Sequence, residues 1–268
     1  MTGYQEILTD PSYRRQIVAM TSTQIGNYGV NDDDAESDGQ HLAGFVVREA
    51  ARRFSNHRAN GNLATYLRAA GIIGLGGVDT RALTRRLRAT GAMRGVISTD
   101  CSSLADLVDQ ARAIQPMEGC ALVDDVALKE PAALPAHGDP RCRIAVIDCG
   151  AKRNILRQLV AAGCAVTVVP PATPAERILA DDYDGLVVSN GPGDPAALDQ
   201  IQHTLRSLIG RLPILGICLG HQLLALALGA TTYKLKFGHH GANHPVLDLD
   251  TGAVEITSQN HGFAVDEK

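Results

Sequence analysis

The sequence lacks both a long apolar run and a basic excess. No stretch approaches the roughly 20 apolar residues that a membrane-spanning helix needs, and the opening MTGYQEILTD has no basic or apolar region of a signal peptide. With 25 Lys and Arg against 29 Asp and Glu, the net charge is -4, so there is no basic field to hold a nucleic-acid backbone. We therefore expect a cytoplasmic protein that binds small molecules or proteins, and neither membranes nor nucleic acids.

Paired cysteines are also missing. The six cysteines show no C-x-x-C motif, which favours reduced thiols over a disulfide frame or a zinc site, and we predict no metal. Five of them need no functional explanation: Cys101, Cys120, Cys142, Cys149 and Cys164. The sixth, Cys218, lies in a distinctive motif that is described below.

The length of 268 residues is enough for two domains. Three prolines in EPAALPAHGDP, at 130–140, predict a linker between a domain at 1–129 and a domain at 141–268. The first domain mixes strand-like pieces (RQIVAMT, GFVVRE, RGVIST) with helical ones (ATYLRAAG, ADLVDQARAI), which indicates an α+β or layered unit.

After the linker, strands and helices alternate. We predict strands at RIAVIDC, AVTVVP, DGLVVSN and LPILGI, and helices at AKRNILRQLVAAG, closed by Gly163, DQIQHTLRSLIG and LGHQLLALALGA. Such alternation predicts an α/β fold with a doubly wound parallel sheet. Ligands of these sheets lie at the carboxyl ends of the strands, where SNGPGDP and the Cys218 turn stand.

Three other segments are interpreted without a function. The acidic tract at 31–38 is predicted to be a solvated loop or helix start, and the basic cluster at 81–88 a solvated or subunit-facing helix. The segment GIIGLGGVDT near Gly74 fails the dinucleotide spacing, because Asp79 stands where the last glycine should be, and is interpreted as a turn.

Cys218 is the candidate nucleophile. The segment from Gly216 to Gly220 has the G-x-C-x-G form of a nucleophile elbow, in which a strand turns sharply into a helix. A helix N-terminus favours the thiolate, which is the attacking form, and N–H groups of the turn can hold an oxyanion. The alternative is a small buried cysteine in a tight joint.

The loop SNGPGDP, at 189–195, stands at a second strand end. Gly191 and Gly193 let the backbone approach a ligand and offer N–H donors. The loop lacks the Lys-Ser/Thr of a P-loop and the third glycine of G-x-G-x-x-G, so a plain turn stays possible.

Several segments together resemble one family. In their order and spacing, SNGPGDP, GICLGHQLLALALGA, KLKFGHHGANHPV and ITSQNHGFAVDE are similar to the class I glutamine amidotransferase domain of the carbamoyl-phosphate synthetase small subunit. In the first half, MTGYQEILTDPSYRRQIV, IGNYGVNDDDAES and GVDTRALTRRLR resemble that subunit's own N-terminal domain, and DCGAKRNILRQLV joins the two parts. The resemblance covers nearly the whole chain.

The resemblance implies an enzyme that hydrolyses L-glutamine through a γ-glutamyl thioester on Cys218. Ammonia would pass through an internal tunnel to a large subunit, which uses ATP and bicarbonate to make carbamoyl phosphate for arginine and pyrimidine synthesis. ATP and nucleotide binding would belong to that partner, so no cofactor is expected in this chain.

The glutamine contacts of the family carry over to eight positions: Ser12, Gly191, Gly193, Leu219, Gln222, Asn260, Gly262 and Phe263. Neutral hydrogen-bond partners of this kind suit an amide-bearing amino acid. Taken without the family, Ser12 could be a turn residue and Gln222 a surface helix residue.

The sequence departs from the family at its ends. A cysteine hydrolase needs a base, usually histidine, and an orienting carboxylate, which the family keeps on a His-Pro-Glu-like element well downstream of QNHGF. The chain ends at Lys268 and opens at Met1 inside the first domain, so both domains are predicted to be incomplete and part of the sheet uncovered.

None of the chain's own histidines matches the base of the family. His244 is followed by Pro245 and then valine in place of glutamate. His221 follows the elbow on its helix, and His239, His240 and His261 are predicted on loops. His261 could shape the glutamine pocket or make a simple loop hydrogen bond. We expect this chain to hydrolyse glutamine very poorly.

Two other functions stay open. One is a noncatalytic scaffold that binds the large subunit. The other is a different class I amidotransferase, such as those serving GMP or anthranilate synthesis, which the synthetase-type first half disfavours.

Overall fold

The structure is a computed structural model that describes residues 3–100 and 103–266. The prediction of a reduced thiol at Cys101 lies outside these residues. The α-helices are α1 (Tyr4–Thr9), α2 (Leu63–Ala69), α3 (Thr80–Thr90), α4 (Leu104–Ala113), α5 (Arg153–Ala161), α6 (Ala175–Ala180), α7 (Asp199–Leu208) and α8 (Leu219–Ala227). The strands are β1 (Ile17–Ala19), β2 (Gln24–Ile25), β3 (Gly44–Val46), β4 (Glu49–Ala50), β5 (Gly74–Leu75), β6 (Ala132–Leu134), β7 (Cys142–Ile147), β8 (Cys164–Val169), β9 (Gly185–Val188), β10 (Ile214–Gly216), β11 (Thr232–Leu247) and β12 (Val254–Val265).

The second half is built on a five-stranded sheet in the order β10-β9-β7-β8-β6. Strands β7 to β10 are parallel, and β6 is an antiparallel edge strand on β8. Val188 at the end of β9 pairs with Ile147 of β7 and with Gly216 of β10. The three strands therefore end at the same edge, and the predicted doubly wound α/β fold is confirmed.

The middle strands of this sheet are buried on both faces, which explains their nearly continuous apolar runs. Ile147, Leu186 and Val188 face a core shared with α6, α7 and α8. Val146 and Val187 face a second core, against which α5 packs. At the edge, Leu215 of β10 is 57% exposed, so part of the sheet is uncovered, as predicted.

The first half has a separate core. Helix α1 contributes Tyr4 and Leu8, which are fully buried, and Phe45 comes from the middle of a small parallel sheet in the order β1-β3-β5. The mixed α/β character predicted for this half is confirmed. The predicted strand RGVIST is wrong, because residues 94–99 have no strand partner.

The segment predicted as a linker contains the edge strand β6, since residues 132–134 pair with β8. The last part of the described chain is a long antiparallel hairpin, β11–β12. His239, His240 and His261 were predicted on loops, and this prediction is wrong: His239 pairs with His261 and His240 with Asn260 across the hairpin. The alternation of the preceding segments gave no indication of these long strands.

The acidic tract is a loop, as predicted, and Asp33 and Asp38 are exposed, but the tract also makes specific contacts. Glu36 accepts hydrogen bonds from the backbone N–H groups of Arg153 and Asn154, at 2.7 and 2.9 Å, at the start of α5. Arg157 donates to the carbonyl of Asp33 at 2.9 Å, and Arg153 forms an ion pair with Asp38. The loop therefore also connects the first half of the chain to the N-terminus of α5, where a carboxylate is stabilised by the helix dipole.

Helix α3 spans the whole basic cluster, as the sequence predicts. No helix among residues 3–100 and 103–266 is both long and apolar enough to cross a bilayer.

Candidate active site

The turn between β10 and α8 has the geometry of an elbow. Cys218 precedes the helix with φ 54° and ψ -107°, a backbone conformation that is strained for any residue except glycine. A β-carbon on Gly216 would lie 2.5 Å from the carbonyl oxygen of Gly220, and one on Gly220 would lie 2.1 Å from the carbonyl oxygen of Val188. The two glycines of G-x-C-x-G are therefore required by close packing of backbone against backbone.

This packing predicts a large cost for one added methyl group. Gly220→Ala must push the elbow away from β9, and we expect it to lower the free energy of unfolding by about 3 kcal/mol. Gly39 is the matched control, because a β-carbon there meets no atom within 4 Å, so Gly39→Ala should change stability by less than about 0.5 kcal/mol. Urea denaturation of both variants checks the prediction, and equal stabilities would contradict it.

The loop from Ser189 to Pro195 lies against this elbow. The N–H of Gly220 donates to the carbonyl of Ser189 at 3.1 Å. A β-carbon on Gly191 would lie 2.9 Å from Leu219 and 2.0 Å from the carbonyl oxygen of Cys149, so Gly191 is beside the nucleophile. Gly193 instead pairs with Ala121, on the segment before the sheet. The structure thus brings Gly191 to the elbow and gives Gly193 a packing role.

A buried amide connects this loop to the first half of the chain. Asn190 Nδ2 donates to Ser12 Oγ at 3.0 Å and to the carbonyl of Gly150 at 2.9 Å. Ser12 lies in a 3₁₀ helix (Pro11–Tyr13) whose N-cap is Asp10, and both residues are buried. Ser12 therefore reaches the carboxyl edge of the second half, as a residue that binds glutamine there would have to do.

The hairpin closes the site from the other side. The Cys218 thiol donates to the carbonyl of Asn260 at 3.5 Å, and Asn260 Nδ2 donates to Asp10 Oδ2 at 3.1 Å. Gln222 Nε2 donates to the carbonyl of Phe263 at 2.7 Å, and both residues are buried together with Leu219. Gln222 is therefore not a surface residue of α8.

Gly262 lies between Asn260 and Phe263 on β12, in the part of the strand that faces the elbow. A β-carbon there would lie 3.4 Å from Lys234 Nζ on β11. That ammonium also lies 5.6 Å from the centre of the Phe263 ring. The predicted glutamine contacts other than Gly193 thus converge on one edge, from the first half, the sheet and the hairpin.

A charged pair stands beside the nucleophile. Lys152 Nζ lies 3.1 Å from Asp10 Oδ2, and the Asp10 side chain is almost fully buried. Burial raises the pKa of the Cys218 thiol to about 11, and the Asp10 carboxylate acts in the same direction, against the smaller opposing effects of the Leu219 N–H and Lys152. The helix N-terminus favours the thiolate through the N–H of Leu219, but burial outweighs this effect, so the pKa of the thiol lies above its usual value.

Three polar residues of this site were missed by sequence reasoning: Asp10, Lys152 and Asn190. Each lies inside a segment already quoted for the family, in TDPSY, DCGAKRN and SNGPGDP. The family motifs around these residues were a signal that the sequence offered. Their meeting at the carboxyl edge of the sheet depends on how the two halves of the chain pack. Asp10 is the link, because it contacts Lys152, Asn190 and Asn260.

The histidines lie around the site without touching the sulfur. Across the part of the chain that is described, no histidine hydrogen-bonds Cys218 Sγ. His240 Nδ1 contacts Asn260 Oδ1 at 3.0 Å and so reaches the nucleophile only through that residue. His261 Nδ1 donates to the carbonyl of Phe263 at 2.7 Å, and its Nε2 lies 3.2 Å from His239 Nδ1. His221 is exposed, and the ring of His244 lies 5.4 Å from that of His239.

The fold and the elbow define the class: an α/β protein whose second half has the architecture of a class I glutamine amidotransferase. The family model "Glutamine amidotransferase class-I" matches residues 145–268, and "Carbamoyl-phosphate synthase small chain, CPSase domain" matches residues 1–97. The match to the CPSase domain, over residues 1–97, disfavours an amidotransferase of GMP or anthranilate synthesis.

Curated relatives give the particular family. The carbamoyl phosphate synthase small chain of Syntrophotalea carbinolica is 52% identical over 99% of this chain and 74% of its own length. That of Rhodopirellula baltica is 50% identical over 100% of this chain and 74% of its own. That of Akkermansia muciniphila is 52% identical over 99% and 73%. The chain belongs to the carbamoyl phosphate synthase small chain family, so the resemblance inferred from the sequence is confirmed.

Proposed function

We propose that this chain hydrolyses L-glutamine at Cys218 and delivers the ammonia to the large chain of carbamoyl-phosphate synthase. The observation that carries the proposal is the strained elbow, where a cysteine at the carboxyl edge of the sheet is surrounded by amide side chains and backbone groups. Glutamine needs such neutral partners for its own amide, carboxylate and amine.

In the proposed reaction, the Cys218 thiolate attacks the amide carbon of glutamine. The proton that the thiol loses is transferred to the amide nitrogen, the C–N bond breaks to release ammonia, and a γ-glutamyl thioester forms; water then adds its hydroxyl to the acyl carbon, releasing glutamate, and its proton restores the thiol. The N–H of Leu219, which lowers the pKa of Cys218, is placed to donate to the developing oxyanion. Ser12, Gly191, Leu219 and Gln222 would hold the substrate, together with Asn260, Gly262 and Phe263, and Gly193 would shape the loop that carries Gly191.

The later steps belong to the large chain. That partner would combine ammonia, received through an internal tunnel, with bicarbonate and ATP, and the product would serve arginine and pyrimidine synthesis in the cytoplasm. This chain would need no cofactor of its own, and the complex would act as a ligase that forms a C–N bond.

Turnover by this chain is proposed to be slow. A thiol whose pKa is raised to about 11, with no histidine in contact among the described residues, holds little thiolate at neutral pH. The same observation favours a second candidate function, a scaffold that binds the large chain without catalysis. Large-chain binding in the absence of ammonia release would favour the scaffold.

Covalent capture tests the proposed nucleophile independently of turnover. A chloroketone analogue of glutamine should alkylate Cys218, and free glutamine should protect it, because both occupy the same pocket. Peptide mapping by mass spectrometry identifies the modified cysteine, and Cys142, a partly buried cysteine at the far end of the sheet, is the internal control. Equal labelling of Cys142 and Cys218, unaffected by glutamine, would contradict the proposal.

A further inference from the structure

Helix α3 carries an unusual charge for this protein. Its four arginines are exposed and it contains no acidic residue: Arg81, Arg85, Arg86 and Arg88. Among the residues that the structure describes, none of these four guanidinium groups has an ion-pair partner. In contrast, Arg58 and Arg153 pair with carboxylates of the acidic tract.

Two exposed apolar side chains border the C-terminal end of α3. Met93 follows the helix, with its sulfur 3.5 Å from Thr90 Oγ1, and is 56% exposed. Phe237 comes from the hairpin and is 41% exposed. The two elements are joined because the N–H of Ala92 donates to the carbonyl of Lys236 at 2.8 Å, and Gly91, at φ 98°, packs on the same carbonyl.

Arginine, methionine and aromatic residues are the types enriched in the cores of protein interfaces, where lysine and acidic residues are depleted. Guanidinium groups are suited to such surfaces because they bind carboxylates in a bidentate manner and are weakly hydrated. Four exposed guanidinium groups without ion-pair partners among the described residues would be complemented by an acidic surface.

We infer that the α3 surface, defined as the four arginines with Met93 and Phe237, docks onto an acidic face of the synthase large chain. The inference rests on the proposed function, from which the partner is taken, and adds the surface and its chemistry. A long nucleic acid fits less well, because the rest of the chain would repel a polyanion and the surface offers a single aromatic ring for stacking.

The α3 surface is connected to the candidate active site through the hairpin. Strand β11 runs from Lys236, which contacts α3, to His240, which contacts Asn260. Asn260 in turn accepts the hydrogen bond of Cys218. A partner bound at α3 is therefore connected to the nucleophile through one strand of the hairpin.

A charge-reversal pair tests the inference. Arg81→Glu with Arg85→Glu places acidic residues in the first half of α3, where helix propensity and the helix dipole tolerate them. Arg206→Glu with Arg211→Glu, at exposed positions on and after α7, makes the same change in net charge and is the control. Binding of each variant of this chain to the large chain from the same organism is measured by calorimetry, with circular dichroism to check folding.

We expect the α3 pair to weaken binding by at least about tenfold and the control pair to leave it unchanged. Wild-type affinity should also fall as salt rises from about 0.05 to about 0.5 M. Equal effects of the two pairs would overturn the docking surface and leave the proposed function standing. Failure of the wild-type chain to bind the large chain would overturn the proposed function as well as the docking surface. Loss of self-association alone would assign the surface to a second copy.

Discussion

Replacing Asp10 with alanine should destabilise the protein by about 3 kcal/mol. The Asp10 carboxylate is buried and accepts hydrogen bonds from Ser12 and Asn260, and it neutralises Lys152 at 3.1 Å. Its removal leaves an ammonium and an amide without their partner in the space between the two halves. The Lys152 side chain is 36% exposed, so water hydrates its ammonium in the variant and compensates part of the lost stability. The expected cost is therefore at the lower end of the range for breaking a buried ion pair.

Asp38→Ala is the control for this prediction. Asp38 also pairs with an arginine across the two halves, but its side chain is fully exposed, and such pairs contribute little. Urea denaturation monitored by circular dichroism should therefore separate the two variants clearly. If both lose the same stability, the buried network around Asp10 does not hold the halves together.

Alkylation of Cys218 by iodoacetamide should be slow at neutral pH and should rise about tenfold with each unit of pH until the pH reaches the pKa. Burial raises that pKa from 9.0 to about 11, so thiolate is about 100-fold scarcer at pH 7 than for an ordinary cysteine. Alkylation rates measured from about pH 6 to about pH 11 follow the titration of the thiol directly.

Peptide mapping assigns the adduct to Cys218, and Cys218→Ala should remove that adduct alone. The Lys152 ammonium opposes the effect of burial, so Lys152→Met should shift the curve to still higher pH. If the alkylation rate of Cys218 instead levels off below about pH 8, as expected for an activated cysteine, the thiolate is the favoured form at that pH. This result would contradict the structure.

The sequence was most informative where one local pattern has one structural outcome. Apolar runs such as RIAVIDC and DGLVVSN are typical of strands buried on both faces, and they form β7 and β9. Gly216 and Gly220 around Cys218 likewise indicate an elbow, because a β-carbon at either position would collide with backbone atoms. These features could be predicted because they depend on neighbours in sequence.

The parts that could not be predicted depend on long-range packing. Asp10 and Asn260 are 250 positions apart and meet only when the hairpin folds over the elbow. Glu36 looked like part of a solvated tract because nothing local shows that α5 begins beside it. The pKa of Cys218 also depends on long-range packing. The effect of the helix N-terminus is local, but the burial that outweighs it comes from residues distant in the sequence.

The central claim is that Cys218 supplies ammonia from glutamine to the large chain. The most direct measurement is carbamoyl phosphate formation by the large chain together with this chain, with glutamine or with ammonium as the nitrogen source. We predict that Cys218→Ala abolishes the glutamine-dependent rate, slow as it is, and leaves the ammonium-dependent rate unchanged. A glutamine-dependent rate that survives in Cys218→Ala would contradict the account.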